Sequence, residues 1–281
     1  MKKILLGLLC LSLICIIGCG GSAVILDSPE ITGVAMGSTS VFVYWEYDTT
    51  IEGHVDFQGY NVYVYTDSNE LLVENGEDLN KHNPAVIPPD YDYINYYGIT
   101  DLSQDSVFYI QVRTVNIDNK VGDYNDSVPF VKASPRPEFT VTLMFEMIQP
   151  GVDDSCAVRF SDATIMADSA MTSGGADMWV EYRGSSPNDT VIFTSPDNHS
   201  EFGTDAHHTG FVNLGQHIFE DISGVTIEPT ENYVSIVDGD LIIAKTEDGN
   251  YIKIHVDEVN KSNNFVTIIY AYQNIIDFPY F

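Results

Sequence analysis

Basic residues are the scarcest chemical class in this chain. Twelve Lys and Arg stand against 41 Asp and Glu, for a formal net charge of −29. Such a surface repels phosphate backbones and anionic headgroups, which excludes nucleic acid as a partner. Calcium, a basic partner, or simple solubility in a salty medium are the readings the acidity leaves open. Cysteine is nearly as scarce, with four in the whole sequence. Cys10, Cys15 and Cys19 fall at the N-terminus and Cys156 stands alone, so no disulfide can form within the body of the chain. Cys156 lies in a strand-like alternation and reads as a buried thiol. Enzyme signatures are also missing. The sequence has no Gly-x-Ser-x-Gly elbow, no His-Glu-x-x-His, no phosphate-binding glycine loop and no dinucleotide fingerprint, and it reads as a non-enzyme. Beyond Cys19 no apolar run reaches membrane-spanning length.

What is present begins with Met1-Lys2-Lys3 and an apolar run from Ile4 to Ile17. A basic start, a short apolar segment and small Gly18 make residues 1–18 a secretory signal peptide. The stretch Ile16-Ile17-Gly18-Cys19 resembles the lipobox of bacterial lipoproteins. That resemblance implies that Cys19 becomes the first mature residue and carries lipid, which makes the membrane a partner through acyl chains. Gly20 follows where an Asp would favour the inner membrane, so the resemblance implies an outer-membrane lipoprotein, its face left open. Residues 19–27 form the tether. About eight residues separate the lipid from the first strand, a reach of roughly 25–30 Å.

Residues 28–134 read as short strands rich in aromatic and β-branched residues, as in Val41–Trp45, Tyr60–Tyr65 and Phe108–Thr114. Pro29, Trp45, Gly59-Tyr60-Asn61-Val62, and Leu102 six residues before Phe108 resemble a fibronectin type III domain. The resemblance implies a sandwich with Trp45, Val62 and Ile110 in its core. Phe108 stands where the family has a tyrosine, which puts the corner hydrogen bond in question unless Tyr109 supplies it. Residues 135–138 of Ala133-Ser-Pro-Arg-Pro-Glu138 are a hinge, extended and fairly stiff because of its two prolines.

Residues 139–281 read as a second all-β domain. Strands are expected at Ala157–Phe160, Met178–Tyr182 and Val191–Thr194. Tyr233–Val237, Leu241–Lys245, Tyr251–Val256 and Phe265–Tyr272 are expected to close the chain as an antiparallel hairpin meander. Thr246–Ile254 and Tyr270–Gln273 give this half a fold-level resemblance to β-rich Bacteroidetes-type envelope lipoproteins, including the haem-binding HmuY-like family. The fold class is therefore all-β, a fibronectin-like sandwich followed by a second antiparallel β domain.

The candidate site is a histidine cluster. His199, His207, His208 and His217 share a short polar segment with Glu201 and Asp205. Imidazoles and carboxylates suit zinc, and paired imidazoles suit haem iron. No known zinc spacing is matched, so solvated loop histidines are the plainer reading. His255 shares a strand face with Lys253 and reads as solvent-facing. Asp118–Asp126 offers calcium ligands without the EF-hand order and reads as a loop. No cofactor is required; haem, zinc and calcium stay open. Tyr93 and Tyr96 are candidates for an exposed binding surface. Taken together, the chain reads as a non-catalytic envelope lipoprotein. Its first domain spaces a distal domain that binds a protein, glycan or small ligand at the cell surface. Haem or metal capture at His199–His217, or a periplasmic structural role, are the alternatives.

Overall fold

Alternation of period two marks strands such as Val41–Glu46, whose large apolar residues face one side, while longer strands such as Phe57–Tyr65 are buried on both faces. The computed structural model describes residues 22–46, 48–74, 76–90, 94–145, 155–169, 175–184, 189–198 and 206–281. Residues 1–21, with Cys19, therefore lie outside the described residues, as do Tyr93, His199, Glu201 and Asp205. Every described sheet is antiparallel, none closes into a barrel, and the fold is an all-β sandwich architecture. Among the described residues the strands are interrupted by one α-helical turn, α1 (Thr49–Glu52), capped by the Asp48 side chain, and by short 3-10 turns such as Ser68–Leu71.

Six strands are formed by the described residues of the first half: β1 (Ile31–Met36), β2 (Val41–Glu46), β3 (Phe57–Tyr65), β4 (Ile94–Ile99), β5 (Phe108–Asn116) and β6 (Val131–Ala133). They form two three-stranded sheets, β1-β2-β4 and β3-β5-β6. Val41, Val43 and Trp45 of β2 turn inward onto Tyr60, Val62, Ile99, Ile110 and Val112. Trp45 meets Tyr60 edge-on, their centroids 5.2 Å apart, a favoured aromatic geometry. Phe108 packs on this core, whereas Tyr109 faces Phe130 and Lys132 on the other side. Tyr109 thus cannot replace the hydroxyl that Phe108 lacks.

Ten strands are formed by the described residues of the second half: β7 (Glu138–Met144), β8 (Ala157–Arg159), β9 (Thr164–Met166), β10 (Met178–Arg183), β11 (Thr190–Thr194), β12 (Thr209–Gln216), β13 (Tyr233–Ile236), β14 (Asp240–Thr246), β15 (Tyr251–Asn260) and β16 (Phe265–Tyr272). Sheets β13-β11-β10-β8-β9 and β12-β14-β15-β16-β7 enclose one core. The Tyr270 hydroxyl ties them, donating to the Phe160 carbonyl at 3.0 Å. The meander expected at the C-terminus holds for β14, β15 and β16. Tyr233–Ile236 departs from it, pairing with β11 in the opposite sheet. Val237-Asp238-Gly239 therefore carries the chain between sheets instead of closing a hairpin.

The two cores share no residue. Between them the link from β6 to β7 is closely packed, with Ser134 and Arg136 buried. The Arg136 amide donates to the Gly37 carbonyl at 2.9 Å, and the Tyr272 amide donates to the Pro137 carbonyl at 3.1 Å. The Arg136 guanidinium lies 5.9 Å from the centre of the Phe219 ring, and the Lys253 ammonium lies 4.3 Å from the same ring. Lys253 also donates to the Ile222 carbonyl at 2.8 Å. The strand face expected to be solvated at Lys253 is instead covered by Phe219, Ile222 and Phe281.

Burial pushes the Lys253 ammonium down to about 7, and nearby Arg136 adds repulsion. The unfolded chain then holds a proton between pH 7 and 10.5 that the folded chain has released. Stability rises with pH through that window, and below it the full cost of burying the charge is present. Lys253→Met is expected to remove this dependence. The unfolding free energy of the native protein, measured relative to the variant by urea titration, should rise by roughly 3 kcal/mol from pH 7 to pH 10. A constant difference across that range would contradict the assignment.

Candidate functional site

The described histidines of the sequence segment divide between two places. His207 and His208 precede β12, and His217 follows it. An extended strand of eight residues, Thr209–Gln216, holds its ends roughly 25 Å apart. His217 therefore cannot join His207 and His208 in one ligand set. Non-local carboxylates meet each histidine instead. His207 lies between Asp177 and Glu247, with Nδ1 3.4 Å from Asp177 Oδ1 and Nε2 3.4 Å from Glu247 Oε1. His208 Nδ1 is 2.9 Å from Asp197 Oδ2. Adjacent residues on extended backbone diverge, and these two imidazoles do so.

Asp177 is mostly buried, and burial raises its pKa, against the pull of the Phe160 amide and of His207. Ser195 is fully buried. Its hydroxyl donates to Asp197 Oδ1 at 2.5 Å and accepts from the Thr209 amide at 2.9 Å. That serine pairs with a carboxylate and the Thr209 amide and braces the loop before β12. Among the described residues, no group of three or more His, Cys, Asp or Glu is arranged to hold a metal ion.

His217 meets a residue that sequence reading set aside. It lines an open cleft of about 700 Å³ with His255, Asp257, Glu220 and Asp238. β15 supplies His255, and the Gly239 turn positions His217 by accepting its amide at 3.3 Å. The signal for this pairing was the strand character of residues 209–216, which separates His217 from its sequence neighbours.

Tyr96 lies on a different surface, the outward face of sheet β1-β2-β4. It is 57% exposed and sits directly across from Tyr44. Their rings are 6.3 Å apart and tilted by 32°. Phe42, across from Gly98, extends the same face. A Cβ on Gly98 would stand 2.9 Å from Phe42 Cε1, and one on Gly33 would stand 3.7 Å from Tyr44 Cδ2. Gly98 thus makes room for the Phe42 ring against the sheet, whereas a side chain at Gly33 would only touch Tyr44. Ile94 completes the patch, also exposed and across from Glu46. A ledge of this kind offers flat apolar area at little conformational cost. Sequence reading found Tyr96 but missed Phe42 and Tyr44, which alternate outward from Val41, Val43 and Trp45.

No protein-family model matches this sequence, and no curated protein matches it. Among solved structures, the chain is similar to a cycloalternan-degrading enzyme from Trueperella pyogenes in complex with a covalent intermediate. The two are 12% identical with a TM-score of 0.26, and the match covers 86% of this chain. It spans about a third of that protein's length, 33%. A TM-score that low does not establish a shared fold.

Proposed function

We propose that this chain is a non-catalytic envelope lipoprotein, anchored through Cys19, that binds a neutral glycan at the cell surface. The observation that carries the ligand assignment is the Phe42–Tyr44–Tyr96 ledge. Rings lying against a sheet present faces on which the apolar side of a sugar ring can stack. The strong negative charge of the chain disfavours anionic polymers on the same surface. The order of sheets β1-β2-β4 and β3-β5-β6 supports the fibronectin-like reading of the first half. In that reading the first sandwich is more than a spacer, because it carries the ledge. Exposed apolar residues of the second half, such as Ile218, Tyr233 and Ile276, belong to separate segments. The metal or haem reading would draw on His207 and His208. It is the weaker one, because among the described residues no group of three or more His, Cys, Asp or Glu is arranged to hold a metal.

The test is affinity electrophoresis of acyl-free protein through gels containing neutral polysaccharides. The native chain is expected to be retarded by at least one of them. The double substitution Tyr44→Ala, Tyr96→Ala should raise the dissociation constant at least tenfold, a loss of about 1.4 kcal/mol or more. Retardation unchanged by the double substitution would remove the ledge from the account.

A further inference from the structure

The segment before β1 is fastened to the sandwich along nearly its whole described length. The Ala23 amide donates to Asp118 Oδ2 at 2.8 Å, and the Val24 amide donates to Asp56 Oδ2 at 2.9 Å. Asn116 Nδ2 donates to the carbonyls of Ala23 and Val24 at 3.2 and 3.0 Å. Thr114 Oγ1 donates to the Leu26 carbonyl at 2.6 Å, and Ser28 Oγ donates to the Asp123 carbonyl. The approach is close enough that a Cβ on Gly122 would stand 2.3 Å from the Leu26 oxygen. The segment is therefore a strap and not a leash.

This shortens the tether. The first pinned amide belongs to Ala23, four residues beyond Cys19, and four extended residues reach roughly 14 Å. The strap leaves the sandwich at the end formed by the turn before β3 and the turn after β5. These turns are joined, for the Ile117 amide donates to the Asp56 carbonyl at 2.9 Å. The same end carries unusually exposed apolar side chains: Val55 at 87%, Ile25 at 58%, Ile117 at 54% and Val24 at 52%. Exposed apolar residues scattered singly mean little. Here Val24 and Ile117 both bond to Asp56, Ile25 and Val55 are the chain neighbours of Val24 and Asp56, and together they form a patch a few residues from the proposed anchor.

We propose that this end of the first sandwich rests on the lipid bilayer, with Val55 and Ile117 entering the boundary between headgroups and acyl chains. The proposal rests on the reading that Cys19 is lipidated. The acyl chains bring the end to within a few residues of the surface, and the apolar tip then fixes the molecule's posture. Asp56 and Asp118 are occupied by strap amides, and the acidity of the chain favours zwitterionic lipid over anionic lipid.

The test uses the full lipoprotein in phosphatidylcholine vesicles containing brominated lipid. Both native tryptophans, Trp45 and Trp179, are buried, so an added one reports its own site. Val55→Trp at the tip and Ile276→Trp, exposed in the second half, are compared after subtracting the native signal. Emission from Val55→Trp is expected to shift to the blue, with bromine quenching at least threefold stronger than for Ile276→Trp. Equal, solvent-like emission from both, in protein that floats with the vesicles, would overturn the tip contact while leaving the anchor intact. A blue shift without quenching would place protein, such as a second copy, on the tip and would also overturn it. Failure of the native protein to float would overturn the anchoring reading itself.

Discussion

Phe219→Ala is expected to lower the unfolding free energy by roughly 3 kcal/mol, more than truncating a half-buried ring costs through lost area alone. The reason is the company that ring keeps. Arg136 and Lys253 both approach it, and both are almost entirely buried. Arg136 has an ion-pair partner in Glu138, but its Nε is buried without a hydrogen-bond partner. Lys253 relies on one carbonyl and two aromatic faces. Removing the shared ring strips a cation–π contact from buried Arg136 and, while it is protonated, from Lys253, and admits water to the link between the halves. Phe219→Leu restores apolar area without the quadrupole and should recover about half the loss. Guanidinium denaturation followed by tryptophan fluorescence measures both. Alanine and leucine variants within about 0.5 kcal/mol of the native protein would show that the junction does not depend on this ring.

Cys19→Ser is expected to abolish fatty-acid incorporation altogether. Cells fed labelled fatty acid should yield labelled native protein and an unlabelled variant. Cys10→Ser, Cys15→Ser and Cys156→Ser should each keep the label, since Cys10 and Cys15 would leave with the signal and Cys156 is buried. The effect is all-or-none because no other position in the chain follows a lipobox-like run. Stable anchoring requires more than one acyl chain, each buried methylene contributing about 0.8 kcal/mol. Label retained by Cys19→Ser would refute the anchor.

Much of the fold could be read from alternation. Val41, Val43 and Trp45 announced an inward face, and Ile252 and Ile254 announced another. What alternation does not encode is which sheet a strand joins. Asp238-Gly239 is a sound local hairpin signal, yet Tyr233–Ile236 is claimed by β11, a pairing made across forty or so residues of chain. Lys253 illustrates a second gap. Its outward position on β15 was legible, but the cover over it comes from Phe219 and the C-terminal Phe281, both remote in sequence. The candidate site follows the same rule. Tyr96 could be picked out within its own tyrosine run. The partners of His207, Asp177 and Glu247, come from distant segments and could not. The strap was hidden for another reason. Ser22-Ala23-Val24 carries no feature of a structured element, and its binding partners are side chains near the ends of β3 and β5.

The measurement that tests the central claim most directly is protease treatment of intact cells expressing the full-length protein with a C-terminal tag. Permeabilised cells serve as the control. A surface-binding role predicts that the tag is lost from intact cells while periplasmic markers survive. Protection until the outer membrane is opened would place the chain in the periplasm. That result would contradict glycan binding at the cell surface and leave a structural role within the envelope.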